Sequence, residues 1–219
     1  VTVRANPDKE PQRHHALLIS LALANGRVLV PRTSGAASAQ PATSLAGVWN
    51  GLRGFTQRRT SPTVPTPKGL AAAKAFAPAT NPVASCVPHP TPFLAALPYL
   101  NEIEIRKDAV VIRSEFFHVT RTVYLDGRPH PTEGPRTNQG HSVGRWEGGT
   151  LVVDTTHFAD HLLGHYLGSG AGGARDLPSG PRKHVVERYR LSDDRRRLII
   201  DAVIEDPDYL AQPLTTTME

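Results

Sequence analysis

Two opposite charges stand where strands otherwise present apolar side chains. In the stretch 118–125, Val119, Val123 and Leu125 share one face, and Arg121 lies among them. In 184–191 the same alternation runs through Val185, Tyr189 and Leu191, and Glu187 lies among them. A charge on an inward face is costly unless it is paired. Arg121 and Glu187 are therefore expected in one interior region, within direct or water-bridged reach. Such a pair has two readings: an internal ion pair that fixes strand order, or a polar anchor inside a ligand cavity. In the second reading Glu187 is the general acid–base, its pKa raised by burial and lowered by Arg121.

A hairpin supplies the second set. A Gly148-Gly149 turn between 142–147 and 150–157 sets Trp146 opposite Leu151 and Gly144 opposite Val153, so that face is expected to be core. The other face carries His141, Arg145, Glu147 and Asp154, with Arg145 and Asp154 as diagonal neighbours placed to bond. This face is either solvated and laced by ion pairs, or a cleft beneath the N-terminal connection. In a cleft, His141 with Asp154 or Glu147 forms an acid–base pair. Parity places Tyr124 and His141 on the face opposite Arg121 and Glu187. The candidate catalytic residues are thus Glu187 and His141. The candidate ligand-binding residues are Arg121, Tyr124, Arg145, Trp146 and Asp154.

Other chemistries are weakly supplied. His157, His161 and His165 fall at i, i+4 and i+8, which on a helix suits a metal. However, His157 ends a predicted strand, and Gly164 and Gly168 disfavour a helix, so these read as loop histidines and no metal site is expected. The single cysteine, Cys86, has no second thiol in the sequence to pair with, and in the stretch ASCVPHPTP it reads as an incidental thiol. Phosphate-binding glycine loops, nucleophile elbows and dinucleotide fingerprints do not occur, and no cofactor is expected.

The elements that must position these residues are mostly strands. Period-2 runs separated by turn residues cover 101–106, 109–116, 117–125, 142–147, 150–157, 184–191 and 197–205, after a first strand at 45–49. A bend is expected between Phe116 and Phe117, and Asp126-Gly127 is a strong turn signal. Residues 160–181 read as a Gly-rich loop. The Pro-rich connection at about 60–92 holds one short helix, with Thr66 as N-cap and Pro67 as its first residue. The expected fold is mainly β: an antiparallel meander forming a lipocalin-like barrel or a strongly curved sheet, with one short helix.

The net charge of +5 is spread along the chain, and Arg195, Arg196 and Arg197 sit beside Asp193 and Asp194 at a predicted hairpin tip. Without a basic stripe, nucleic acid is not an expected partner. At the front, Arg4, Lys9, Arg13, His14 and His15 form a positive head, followed by the apolar run 16–24 and by Ala37-Ser38-Ala39 before Gln40. These are the parts of a secretory signal, although Arg27 and Arg32 interrupt the approach to the cleavage site. The expected organisation is residues 1–39 as signal peptide or disordered leader and 40–219 as a single β domain, periplasmic or secreted. No apolar run is long enough for a membrane-spanning helix.

Two resemblances add to this. Gly47-Val48-Trp49 on a first strand resembles the G-x-W opening of lipocalin-like barrels, and implies a ligand-sized barrel in which the Trp closes one end. The stretches RTVYLDGRPHP, GHSVGRWEGGTLVVDTTHF and HVVERYRL resemble the recurring motifs of a family of exported bacterial proteins of unassigned activity. The chain departs from that pattern at Gly149, where Asp is usual, and at His157, where Gly or Asn is common. The resemblance spans about Leu45 to the C-terminus and implies export without implying an activity. Together these readings give an exported small-molecule-binding β-barrel, with acid–base chemistry of lyase, hydratase or isomerase type on an apolar or amphipathic compound. A non-catalytic carrier and a structural interaction module are the alternatives, and the oligomeric state is left open.

Overall fold

The computed structural model describes residues 2–7, 16–22, 28–30, 44–50, 58–165 and 177–219. Two compact units divide the chain, Val1–Ala42 and Thr43–Glu219. The first holds a three-stranded antiparallel sheet of β1 (Thr2–Pro7), β2 (Ala16–Ala22) and β3 (Val28–Val30), in that order. The apolar run at the front is thus the middle strand of this sheet. Lys9, Arg13, His14, His15 and the Ala37-Ser38-Ala39 site lie outside the described residues.

The second unit is mainly β, and its sheet curls into a half-barrel. In chain order its strands and helix are β4 (Gly47–Asn50), β5 (Arg58–Arg59), α1 (Pro67–Ala75), β6 (Leu100–Ile105), β7 (Ala109–Ser114), β8 (Thr120–Tyr124), β9 (His141–Glu147), β10 (Thr150–Thr156), β11 (His161–His165), β12 (Leu177–Ser179), β13 (His184–Leu191), β14 (Leu198–Glu205) and β15 (Leu214–Met218). Ten strands form one sheet in the order β4-β6-β7-β8-β9-β10-β13-β14-β15-β5, and β11 and β12 pair separately. The outermost strands β4 and β5 do not pair with each other, so the strongly curved open sheet is the form adopted rather than a closed barrel.

Most of this follows from local chemistry. Alternation drives β13 and β14, whose inner residues Val185, Ile200, Ala202 and Ile204 are buried. The Gly148-Gly149 turn sets the expected register, Leu151 against Trp146 and Val153 against Gly144. Pro67 opens α1, and the Thr66 hydroxyl caps it, accepting from Gly69 N at 3.0 Å and donating to Asp208 O at 2.7 Å. The expected bend falls at Phe116–His118, where Phe117 and His118 both take φ of +52°.

The structure corrects five points. The meander breaks between β8 and β9, which are parallel, because the connection 125–140 carries the chain back before β9 starts. The segment 160–181 contains β11 and β12, and β15 completes the sheet beyond the last predicted hairpin. Trp146 is 39% exposed although Leu151 opposite is buried, since it sits at the hairpin tip beyond the curl. Period-2 alternation puts Ile103 and Ile105 on one face of β6, yet Ile103 is buried and Ile105, at the strand's end, is exposed.

The core lies on the inner face of the sheet around Val110, Val123, Leu151, Val153, Val185 and Ile204, with Phe93 and Phe158 packed into it. One glycine is essential to the approach to β9. Gly140 has φ of +68°, and a Cβ there would sit 2.5 Å from Thr156 O. Only glycine fits this turn, which delivers His141 and Ser142 to opposite faces of the sheet.

Candidate functional site

On the inner face, Arg121 and Glu187 meet. Arg121 Nη1 donates to Glu187 Oε1 at 3.2 Å, and Nη2 bonds Glu187 Oε2. The remaining donors reach Ser142 Oγ at 3.0 Å, Thr155 Oγ1 at 2.8 Å and the Tyr189 hydroxyl at 3.1 Å. All five guanidinium N–H groups are thereby used. Tyr189 donates its own proton to Glu187 Oε1 at 2.8 Å. Arg121 is 6% and Glu187 0% exposed. Burial would lower the Arg121 pKa, but the Glu187 charge outweighs it and the net displacement is upward. Burial, then the same carboxylate, raises the Tyr189 hydroxyl. The set is closed on itself: arginine stays charged, tyrosine stays neutral, and the carboxylate oxygens are occupied.

The opposite face of the same strands carries a chain of histidines and carboxylates. His141 Nδ1 lies 2.9 Å from His130 Nδ1, and His130 Nε2 lies 3.0 Å from Asp154 Oδ1. His184 Nε2 is 3.1 Å from both Asp154 oxygens, and its Nδ1 is 3.0 Å from Glu205 Oε2. Strand register builds this line. Asp154 pairs with Val143 and Val186, so His141 and His184 are its diagonal neighbours, and Glu205 lies directly across from His184. Tyr124 stacks on His141 with ring centroids 5.3 Å apart, and the Arg128 guanidinium lies over the Tyr124 ring, 3.8 Å from its centroid.

The two ends of this chain are tuned in opposite directions. Partial burial, then the neighbouring His130, lowers the His141 pKa. Burial also works against a charged His184, but its bonds to Glu205 and Asp154 prevail and raise its pKa. A carboxylate stands at each ring nitrogen of His184, and Asp154 joins His184 to His141 through His130. Beside His184 opens a groove of about 340 Å³ lined by Arg182, His184, Glu205, Asp206, Pro207, Leu210, Ala211, Gln212 and Pro213. Its wall is amphipathic, and His184 and Glu205 stand at its lip.

The remaining candidates fall apart from these sets. Arg145 bonds Glu147 at 2.7 Å rather than Asp154, because it pairs with Val152 and lies nearer its own strand's carboxylate. Glu147 is in turn held by Arg188 at 2.6 Å. The outer face carries ion pairs toward the hairpin tip and a histidine–carboxylate chain toward the other end, in which His141 contacts His130 rather than Asp154 or Glu147. His157 ends β10 at φ of +60°, while His161 and His165 lie on a strand, so the helical spacing of the three is not realised. Among the described residues, no group of three histidine, cysteine or acidic side chains is placed to hold a metal ion.

Sequence reasoning missed His130, His184 and Glu205. The His184–Asp154 diagonal was readable from parity once β10 and β13 are neighbours. His130 was not, since it arrives from the loop after β8. The three motif stretches nevertheless supply His130, then His141 with Asp154, then His184, and also the inner Arg121, Ser142, Thr155, Glu187 and Tyr189. Fold and site define a half-barrel β protein that carries a closed ionic network inside and a chain of histidines and carboxylates outside. The chain matches no protein-family model and no curated protein. No helix among the described residues is long and apolar enough to cross a membrane.

Proposed function

We propose that this protein binds a small apolar or amphipathic compound in the groove beside His184 and performs cofactor-independent acid–base chemistry on it, of lyase or isomerase type. The observation that carries the reading is His184 itself, held between two carboxylates at the lip of an amphipathic groove. Groups whose pKa values are pushed apart within one chain are the usual basis of acid–base division of labour. His184 is the proton donor to a ligand whose acceptor atom takes the place of Glu205 at Nδ1–H. Asp154 orients it, and His130 with His141 returns the proton. The same groove in a non-catalytic carrier is the second reading, favoured by the open, partly solvated position of the groove.

Screening for turnover of hydroxy and unsaturated amphipathic compounds tests this. Conversion should fall about 100-fold or more in His184→Gln and in Asp154→Asn, with binding retained. Binding without conversion in the wild type supports the carrier, and conversion untouched by either substitution overturns the assignment.

The front of the sequence supports export to the periplasm or beyond, through the positive head, apolar run and Ala37-Ser38-Ala39 site. Expression in a bacterial host followed by intact mass should give an exported product that begins at Gln40. An exported product that retains residues 1–39 overturns that part of the proposal.

A further inference from the structure

The connection 125–140 runs over the outer face, and one histidine pins its exposed half. From Asp126 to Pro135 every residue except His130 is exposed. Among the described residues, this stretch makes no backbone–backbone hydrogen bond. Its polar ties to the sheet are two side chains: His130, bonded to His141 and Asp154, and Arg128, lying over the Tyr124 ring. The chain on either side is fastened more heavily. Leu125 N donates to Asp108 O at 2.9 Å and Thr137 N to His157 O at 3.2 Å. Arg136 Nη1 donates to Pro181 O at 2.8 Å and Gln139 Nε2 to His89 O at 3.0 Å.

The His130 contacts have a fixed capacity for protons. An ionised carboxylate only accepts, so His130 Nε2, 3.0 Å from Asp154 Oδ1, carries a proton. On the other side of the ring two nitrogens meet, His130 Nδ1 and His141 Nδ1, 2.9 Å apart. One proton lies between them, and there is room for only one. With both rings neutral it sits on His141 Nδ1, and His130 Nδ1 accepts. With one added proton the rings still share that bond. A second added proton sets two N–H groups face to face, with no acceptor between them and a charge on each ring. The surroundings add to this. Partial burial, then His130, His157 and Arg128, lower the His141 pKa. Burial, then Arg136 and His130, lower that of His157. The carboxylate facing the pair is Asp154, and it is shared with His184, whose other ring nitrogen meets Glu205.

We propose that the His130–His141 contact is an acid-released pin: it holds the strap 126–135 against the outer face while the pair carries at most one added proton, and lets it go when the pair takes a second. Arg128 stays near Tyr124, but one exposed cation–ring contact is too weak to hold the strap alone. Release uncovers Tyr124, His141 and Asp154 together, and leaves Asp154 to His184. The device lies in the two rings and holds whether or not the groove takes a ligand.

NMR of the full chain tests it. At about pH 8, long-range proton–nitrogen spectra should show His141 as the Nδ1–H tautomer and His130 as the Nε2–H tautomer. Between about pH 8 and pH 4.5 the pair should titrate in two steps at least about one pH unit apart. Across the second step, backbone order parameters from Gly127 to Gly134 should fall from about 0.85 to below about 0.6, while those of β13 and β14 hold. His141→Asn places an amide near the position of Nδ1, able to donate or accept, and should keep the strap ordered at the acid end. His130→Ala should free it throughout. The Nε2–H tautomer at His141 near pH 8, a wild-type strap that stays ordered through both steps, or release of His141→Asn at the wild-type pH would each overturn the proposal. So would an ordered strap in His130→Ala. Loss of order in β13 and β14 at the same pH as the strap would also overturn it, since acid would then act on the whole unit.

Discussion

Arg121→Met is expected to lose about 3–5 kcal/mol of unfolding free energy, and Glu187→Gln a similar amount. The reason is the completeness of the inner network. Removing the guanidinium leaves a fully buried carboxylate with only the Tyr189 hydroxyl as a donor. Removing the carboxylate charge leaves a buried cation among three hydroxyls. Both states carry an uncompensated charge in a poorly polarisable interior. The double variant carries neither, so its loss should be well short of the sum, with a coupling of about 2–3 kcal/mol. Urea unfolding of the four proteins measures this directly. Losses that simply add would show that the two charges are solvated in solution and that the network is not intact. Binding of any groove ligand should be unchanged in the double variant, because neither residue lines the groove.

This pairing was legible in the sequence because it depends on period-2 parity alone. Arg121 and Glu187 each interrupt an apolar stripe, and two interruptions of opposite sign in one core must find each other. The helix at α1 was legible for a similar reason: Thr66-Pro67 is a local instruction, read without knowledge of the rest. The hairpin of β9 and β10 came from its glycine pair. What parity does not carry is strand order. The parallel placement of β9 beside β8 depends on the path of the loop 125–140, and that loop also delivers His130. The same limit hid the burial of His161, His165, Ser179 and Lys183. Leu177, Ser179 and Lys183 show no alternation strong enough to mark β12, and the lysine gives no sign in sequence that it is buried. Charged residues are seldom fully buried unless paired, so Lys183 was the least predictable member of the fold.

The two networks also share a construction. β9 and β10 contribute adjacent residues to both: His141 and Ser142, Asp154 and Thr155. One residue of each pair faces outward into the histidine chain and the other inward onto Arg121. Arg121 bonds Ser142 and Thr155 on the inner face of the same two strands whose outer residues make the 2.9–3.1 Å histidine–carboxylate contacts, so the inner bonds hold those strands in register.

Stability should rise steadily from pH 4 to about pH 10, and the buried His161, His165 and Lys183 set this slope. His161 and His165 have folded-state values near 4 against an ordinary 6.5. Between those limits the unfolded chain binds protons that the folded chain refuses, so folding weakens as pH falls from 6.5 to 4. The full displacement of one such group is worth about 3 kcal/mol. Lys183 acts in the same sense at higher pH. Burial pushes it down to about 7 from 10.5. From pH 10.5 down to 7 the unfolded lysine is protonated while the folded one is not, and about 5 kcal/mol of stability is lost across that window. Two groups oppose the trend. His184, raised by Glu205 and Asp154, adds stability below pH 6.5 that disappears as pH climbs through its folded value, but it is one-third exposed and its effect is small. Tyr189, raised by burial, keeps its proton when the unfolded chain releases it, and so caps the rise above pH 10. Urea midpoints measured from pH 4 to 10 should therefore increase throughout. Lys183→Met should flatten the limb above pH 7 and leave the acid limb in place, since the histidines remain buried. A maximum near pH 7, or an alkaline limb that survives the methionine substitution, would show that Lys183 is solvated in the folded protein.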